Sequence, residues 1–290
     1  MADSTRRHTR PGLVVRVGLV LAGAVVIWSL MIWAGSTISG GVATITGRMV
    51  NAAIVFGLAV PLVVAARRTL DRRPWPGLRV QAWSGAWRPF LVGAAAFLIP
   101  SAVGLTVALL AGWVRVAFAF SPLALIGWIG LLVVSVLLPE AFPEELIFRG
   151  YIQRNLSAAI PPWAAALLQA TLFACFATAV WVASAGWGVF LERATIFLTM
   201  GIVLGVLRVI SDSVWTCVGF HLAFQVVAQF LLGPGVTTDN ESVLTLAAIV
   251  TAFVLATTIV GWFTPHQPNW TRPEPDQPAL SEASTSTRTP

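Results

Sequence analysis

Apolar residues along this chain come in long runs rather than in the alternations of a strand or the one-sided spacing of a water-facing helix. A membrane-crossing helix needs roughly 20 such residues, and eight runs qualify: 12–34, 49–66, 89–113, 122–142, 161–183, 194–210, 213–232 and 244–263. The second, sixth and seventh are short or interrupted, so a count of seven stays open beside eight. No internal repeat of the transporter kind separates them into halves. The first run is too long for a cleaved signal peptide, and no small-residue cleavage site follows it. The pattern predicts an all-α fold, a polytopic membrane bundle of about eight transmembrane helices.

Composition agrees and narrows the function classes. The chain is 57% hydrophobic and 10% charged, against about 25% charged in a soluble protein. That supply cannot cover a water-facing surface, which excludes a soluble enzyme, and the apolar mass excludes disorder over most of the length. The net charge of +6 comes from 18 arginines, with no lysine, against 12 acidic residues. These arginines fall between apolar runs, where they set orientation rather than bind nucleic acid. With the N-terminus in the cytoplasm, 15 lie inside, including Arg67, Arg68, Arg72, Arg73, Arg79, Arg88 and Arg149, and only Arg48, Arg115 and Arg193 lie outside. Both termini are therefore expected in the cytoplasm of an integral, multi-pass membrane protein; with the family resemblance given below, the location expected is a bacterial cell membrane.

The chain divides into a cytoplasmic segment 1–11, N-terminal spans 12–121, a core 122–232, a last span within 233–264 and a tail 265–290. Loop 67–88 alternates its arginines with Trp75, Leu78, Trp83 and Trp87. It reads either as an interfacial segment, basic side to lipid phosphate and rings to the acyl boundary, or as an ordinary cytoplasmic linker. Trp33, Trp113, Trp163, Trp181 and Trp262 stand at span ends, as an aromatic belt requires. The tail is rich in Pro, Ser, Thr and acid, and is expected to be disordered. Cys175 and Cys217 fall inside helices, as two buried thiols rather than a disulfide. Gly201 and Gly205 form a G-x-x-x-G that suits close helix packing within the bundle. Asp212 marks a helix start between the sixth and seventh spans.

Ionisable groups in or beside a span are functional hypotheses by default. Glu140, Glu144, Glu145 and Arg149 cluster at the cytoplasmic end of the fourth span. Glu145 and Arg149 stand at i,i+4, carboxylate first, the favourable order for an ion pair. Glu144 points about 100° away, near a cation but not consumed by it, as a general base requires. The alternative is a solvated helix end. Downstream, His221 and Gln225 share a face of the seventh span at i,i+4. His221 serves either as part of a reacting centre or as a structural hydrogen-bond donor between helices.

The run Glu144-Glu145-Leu146-Ile147-Phe148-Arg149-Gly150 resembles the first motif of the CAAX-processing and bacteriocin-processing (CPBP) family of intramembrane proteases. His221-Leu222-Ala223-Phe224-Gln225 resembles its last motif, with Gln225 where the family has asparagine. The resemblance covers roughly residues 122–232. It implies an intramembrane endopeptidase acting on membrane-embedded or lipidated peptides at a cytoplasm-facing cavity. Glu144 would activate water, Glu145 and Arg149 would form an orienting pair, and His221 and Gln225 would stabilise the oxyanion.

The family's middle motif is phenylalanine, three residues, then histidine. Here Phe173 is kept, and Ala177 stands where the histidine belongs; both are expected to line the substrate cavity. Zinc would follow from the resemblance, but it usually takes three protein ligands and the set here is incomplete, so no metal is expected. The rival reading is a catalytically impaired member that binds a membrane partner or gives bacteriocin immunity. The substrate and oligomeric state are left open.

Overall fold

The computed structural model describes residues 10–37 and 44–276. Segments 1–9 and 277–290, which hold most of the expected N-terminal segment and the end of the expected tail, lie outside the described residues.

Among the described residues, eight helices are long and apolar enough to cross a membrane. They are α1 (Leu13–Thr37), α2 (Ile45–Asp71), α3 (Trp83–Leu110), α4 (Leu123–Ser157), α5 (Pro162–Ala185), α6 (Phe190–Ser211), α7 (Val214–Leu231) and α8 (Glu241–Phe263). The only strands among the described residues are β1 (Val116–Phe118) and β2 (Val236–Thr238), which pair antiparallel between the α3–α4 and α7–α8 connections. Helix α7 is the most enclosed, with 61% of its apolar stretch buried against 22% for α4, so it forms the axis of the bundle.

Packing density comes from glycines and aromatic rings. A Cβ on Gly93 would overlap the Thr216 carbonyl oxygen, and one on Gly219 that of Phe90, so α3 and α7 cross backbone to backbone. A Cβ on Gly201 would sit 2.9 Å from the Ala170 Cα, which places the G-x-x-x-G inside the α5–α6 contact. Phe97, Phe220, Phe224 and Phe253 interlock α3, α7 and α8, largely edge to face, the geometry favoured by the ring quadrupole.

The helices extend beyond the expected runs. Helix α2 continues to Asp71 and α4 to Ser157, because their polar ends are buried in pairs. The Asp71 carboxylate, fully buried, accepts hydrogen bonds from Arg16 (2.7 Å), Arg67 (3.0 Å), the Tyr151 hydroxyl (3.1 Å) and Asn155 (3.1 Å). The described part of the tail, 265–276, is packed on the bundle rather than disordered. Glu274 N–H donates to the Ser157 carbonyl (2.8 Å), and the Asp276 carboxylate accepts from both terminal nitrogens of Arg67 (2.6 and 3.2 Å). These contacts gather α1, the α2–α3 connection and the chain after α8 at one end, the arginine-rich end.

Other expectations are corrected by burial. Arg67 and Leu78 are buried, while Trp83 and Trp87 are exposed, so connection 67–88 is folded onto the bundle by one side and presents rings on the other. Arg149 is fully buried within α4 and is no loop charge. Asp212 ends α6 in the left-handed region (φ 48°) and pairs with Arg208 and Arg79; Ser213 caps α7 instead. Cys217 is buried, but Cys175 is exposed on the outside of α5. All five belt tryptophans are exposed.

Candidate active site

Helix α4 carries the acidic motif between two π-helical turns, Leu137–Ala141 and Leu146–Ile152. Pro139 and Pro143 have no N–H with which to continue the ordinary i to i−4 ladder. The backbone relaxes into wider turns, as when Phe142 N–H reaches the Leu137 carbonyl. Such bulges interrupt helices most often at functional positions. Here they place Glu144 and Glu145 inside the span, about 12 residues or some 18 Å before the end of α4, and not at its end as the apolar run suggests.

Glu145 is fully buried and joins the two motifs. Its Oε1 accepts from Arg149 Nη1 at 2.9 Å and lies 2.8 Å from His221 Nδ1 on α7. The i,i+4 pair read from the sequence is present, and the histidine is added to it from 76 residues away. Arg149 rests on a third element, with its Cζ 4.5 Å above the Phe173 ring on α5. That ring is itself wedged against Phe148 and Phe197 and has no exposed surface. Phe173 therefore holds the guanidinium in place by a cation–π contact and is no lining of an open cavity.

Several polar atoms are left pointing into the cluster's surroundings. Glu145 Oε2, His221 Nε2 and Arg149 Nε and Nη2 are buried without a hydrogen-bond partner. An orphaned buried group costs about 1–3 kcal/mol, so these atoms suit water, substrate or a reaction intermediate. Glu144 is half-buried and makes no hydrogen bond or ion pair among the described residues; its charged neighbours are Glu140, Glu145 and Arg149. Gln225 is half-buried one turn beyond His221, also without a hydrogen bond.

Ala177 is buried. Helices α4 and α5 run antiparallel, and Phe173 stands opposite Arg149. One turn along each helix therefore brings Ala177 to the level of Glu145. The buried Thr178 hydroxyl is also without a partner; an isolated threonine in an apolar helix has no pattern by which to single it out.

The donors do not fit a zinc site. His221 Nδ1 is engaged by Glu145, and the Cys217 thiol faces the Leu204 carbonyl at 3.4 Å. Among the described residues no three His, Cys, Asp or Glu side chains converge. An apolar groove of about 370 Å³ between α3, α4 and α7, bordered by Phe90, Ile129, Val133 and Leu222, includes none of the site residues.

Neither a curated protein nor a solved structure matches the chain. Residues 124–227 match the family model described as type II CAAX prenyl endopeptidase Rce1-like. The stretch that brings Glu145 to His221 is thus similar to Rce1-like CAAX-protease domains, and among the described residues it is set within eight helices of membrane-spanning length.

Proposed function

We propose that this protein is an intramembrane endopeptidase that hydrolyses membrane-embedded or lipidated peptides with glutamate-activated water, through a cavity reached from the arginine-rich, cytoplasmic face. The observation that carries the reading is the Arg149–Glu145–His221 cluster. It joins two distant motifs in a buried place and leaves reactive edges unpartnered.

In this reading Glu144 is the base, because it is the one carboxylate of the pair not engaged by a cation. It takes a proton from water, and the hydroxide adds to the scissile carbonyl. His221 is held by Glu145 through Nδ1 and turns Nε2, which is buried without another partner, toward the oxyanion; Gln225 adds an amide donor. Preorganised donors of this kind are typically worth about 2.7–4 kcal/mol each. Collapse of the intermediate breaks the C–N bond, and Glu144 returns the proton to the leaving amine. Arg149 balances the charge of Glu145 in the buried cluster, as a site of low dielectric demands.

The test is hydrolysis of a farnesylated Cys-Ala-Ala-Xaa peptide by purified protein in detergent. Glu144→Gln should abolish cleavage and leave the fold intact by circular dichroism. Undiminished cleavage by that variant would remove Glu144 from the mechanism. The rival reading, a binding or immunity protein, draws on Ala177, which offers no imidazole at the level of Glu145.

A further inference from the structure

At the arginine-rich end, the Asp276 carboxylate fills a seat built by other parts of the chain. Arg67, buried at the end of α2, meets it with both terminal nitrogens, and Arg154 Nη2 on α4 approaches it to 3.5 Å. The third wall is the turn Trp75–Leu78. There the Gly77 carbonyl accepts from Arg154 Nε (3.1 Å), and a Cβ on Gly77 would run into the Arg67 guanidinium and stand 2.8 Å from the Asp276 carboxylate. Glycine at 77 therefore leaves the room that the anion takes. The Pro74 carbonyl accepts from Arg67 Nε (3.1 Å) and Nη2 (3.0 Å), and Asp71 accepts from Nη1 (3.0 Å). The fork of Arg67 is thus fixed by the fold and does not depend on Asp276.

Cations outnumber anions around this seat. Arg10, Arg16, Arg67, Arg73 and Arg154 gather there against Asp71, Asp276 and, through charge alone, Glu274. Partial burial and then the like charges of Arg16 and Arg73 hold the Arg10 guanidinium below its usual range, and its Nε is buried without a hydrogen-bond partner. The resident anion is also weakly tethered. Residues 265–273 are mostly exposed, and the hydrogen bonds that dock the segment on α2 and α4 come from Glu274, Pro275 and Asp276. Short exposed segments of this kind open locally at little cost.

We infer that Arg67, Arg154 and the Gly77 turn form a binding seat for a phosphate group, which the chain's own Asp276 fills until a phosphate displaces it. Guanidinium forks match phosphate as well as carboxylate. A phosphate monoester brings up to two charges and three strong acceptor oxygens where Asp276 brings one charge and two oxygens, so it answers the surplus of arginines better. Helices α2 and α4 exceed the roughly 20 residues that a bilayer core needs, and their shared end reaches the depth of lipid headgroups. A monoester there belongs either to a lipid such as phosphatidic acid or to phosphate free in solution. Arg154 lies nine residues beyond Glu145 on α4, roughly 13 Å along the helix, so the seat is separate from the candidate active site and needs no peptide cleavage.

The experiment titrates the purified full chain in detergent with inorganic phosphate, and separately counts phosphatidic acid retained from phosphatidylcholine nanodiscs by native mass spectrometry. Asp276→Asn removes the resident anion and should tighten binding roughly 10- to 100-fold, the usual effect of one charged hydrogen-bonded partner. Glu274→Gln removes the same charge from a side chain outside the seat and should change affinity little. Adding Arg154→Gln to Asp276→Asn should return binding to the weak level; Arg67→Gln is avoided because it would also strip Asp71 of a partner. In the native protein, bound ligand should speed hydrogen exchange in 265–276. A response to both probes assigns the seat to phosphate in general, to phosphatidic acid alone to a lipid headgroup, and to inorganic phosphate alone to a free ion. Failure of Asp276→Asn to bind either probe, an equal gain in Glu274→Gln, or binding that leaves 265–276 protected overturns the seat. So does a gain that survives Arg154→Gln; if that double variant does not fold, Asp276→Asn against Glu274→Gln decides.

Discussion

Arg149 depends on two neighbours of different kinds, a carboxylate and an aromatic face, and both are fully buried. Removing one partner of a buried ion pair typically costs about 3–5 kcal/mol, because the other charge is left uncompensated. Arg149→Ala should therefore cut the folded yield in detergent far more than Glu144→Ala, whose carboxylate has no partner to abandon. Equal yields would mean that water reaches the cluster. That Glu145, Arg149 and His221 belong together could be read in the sequence, because their spacing resembles a family motif, and the three side chains do meet. The Glu145–His221 bond itself could not, since it needs α4 and α7 to cross at one depth, and neither periodicity nor composition carries that information. Ala177 is the residue where chemistry and packing meet. A general acid–base group typically contributes about 10²–10⁴-fold in rate, and Ala177→His would place an imidazole at the level of Glu145. Overpacking a full core costs about 1–3 kcal/mol, so a variant that folds should gain turnover on the farnesylated peptide. A folded Ala177→His protein with no gain would favour the binding-protein reading.

At the scale of elements, the eight spans were legible as apolar runs, whereas their ends were not. Helices α2 and α4 run on through Asp71, Gln153 and Asn155, polar residues that look like loop until tertiary partners bury them. The π-turns of α4 were equally hidden: prolines announce a disturbed ladder but not whether the helix bends, breaks or widens. Glycine positions carry a clearer prediction. Gly93 and Gly219 let α3 touch α7, the helix that holds His221, so closely that a side chain would overlap a backbone carbonyl. Gly93→Val should force the two helices apart, lower the thermal midpoint in detergent and reduce activity together. Gly57, with open space around its missing Cβ, is the control: Gly57→Ala should change neither. A Gly93→Val protein as stable as the control would show that the crossing is looser than described.

For the whole molecule, the arginine-rich end is held together by charge, and the chain after α8 is part of it. Asp276 loses hydration there, which opposes ionisation. The Arg67 hydrogen bonds and the charges of Arg67, Arg154 and Arg73 outweigh that loss and hold its carboxyl below the usual aspartate range. A depressed folded pKa sets the sign of the pH dependence: the contribution is present above the unfolded value and fades as pH falls toward the folded one. The segment 265–276 should thus stay docked at neutral pH and come free only in acid, below the range where ordinary aspartates titrate. Removing the carboxylate should release it at any pH. Arg67 would still be paired with Asp71 at 3.0 Å, so Asp276→Asn should free the segment without unfolding the bundle. Hydrogen exchange localised to 265–276 reads this directly, as rapid exchange in Asp276→Asn at pH 7 with the spans unchanged. Protection equal to that of the unaltered protein would show that the Glu274 backbone contacts with Ser157 and Arg154, and not the carboxylate, keep this end of the chain on the bundle.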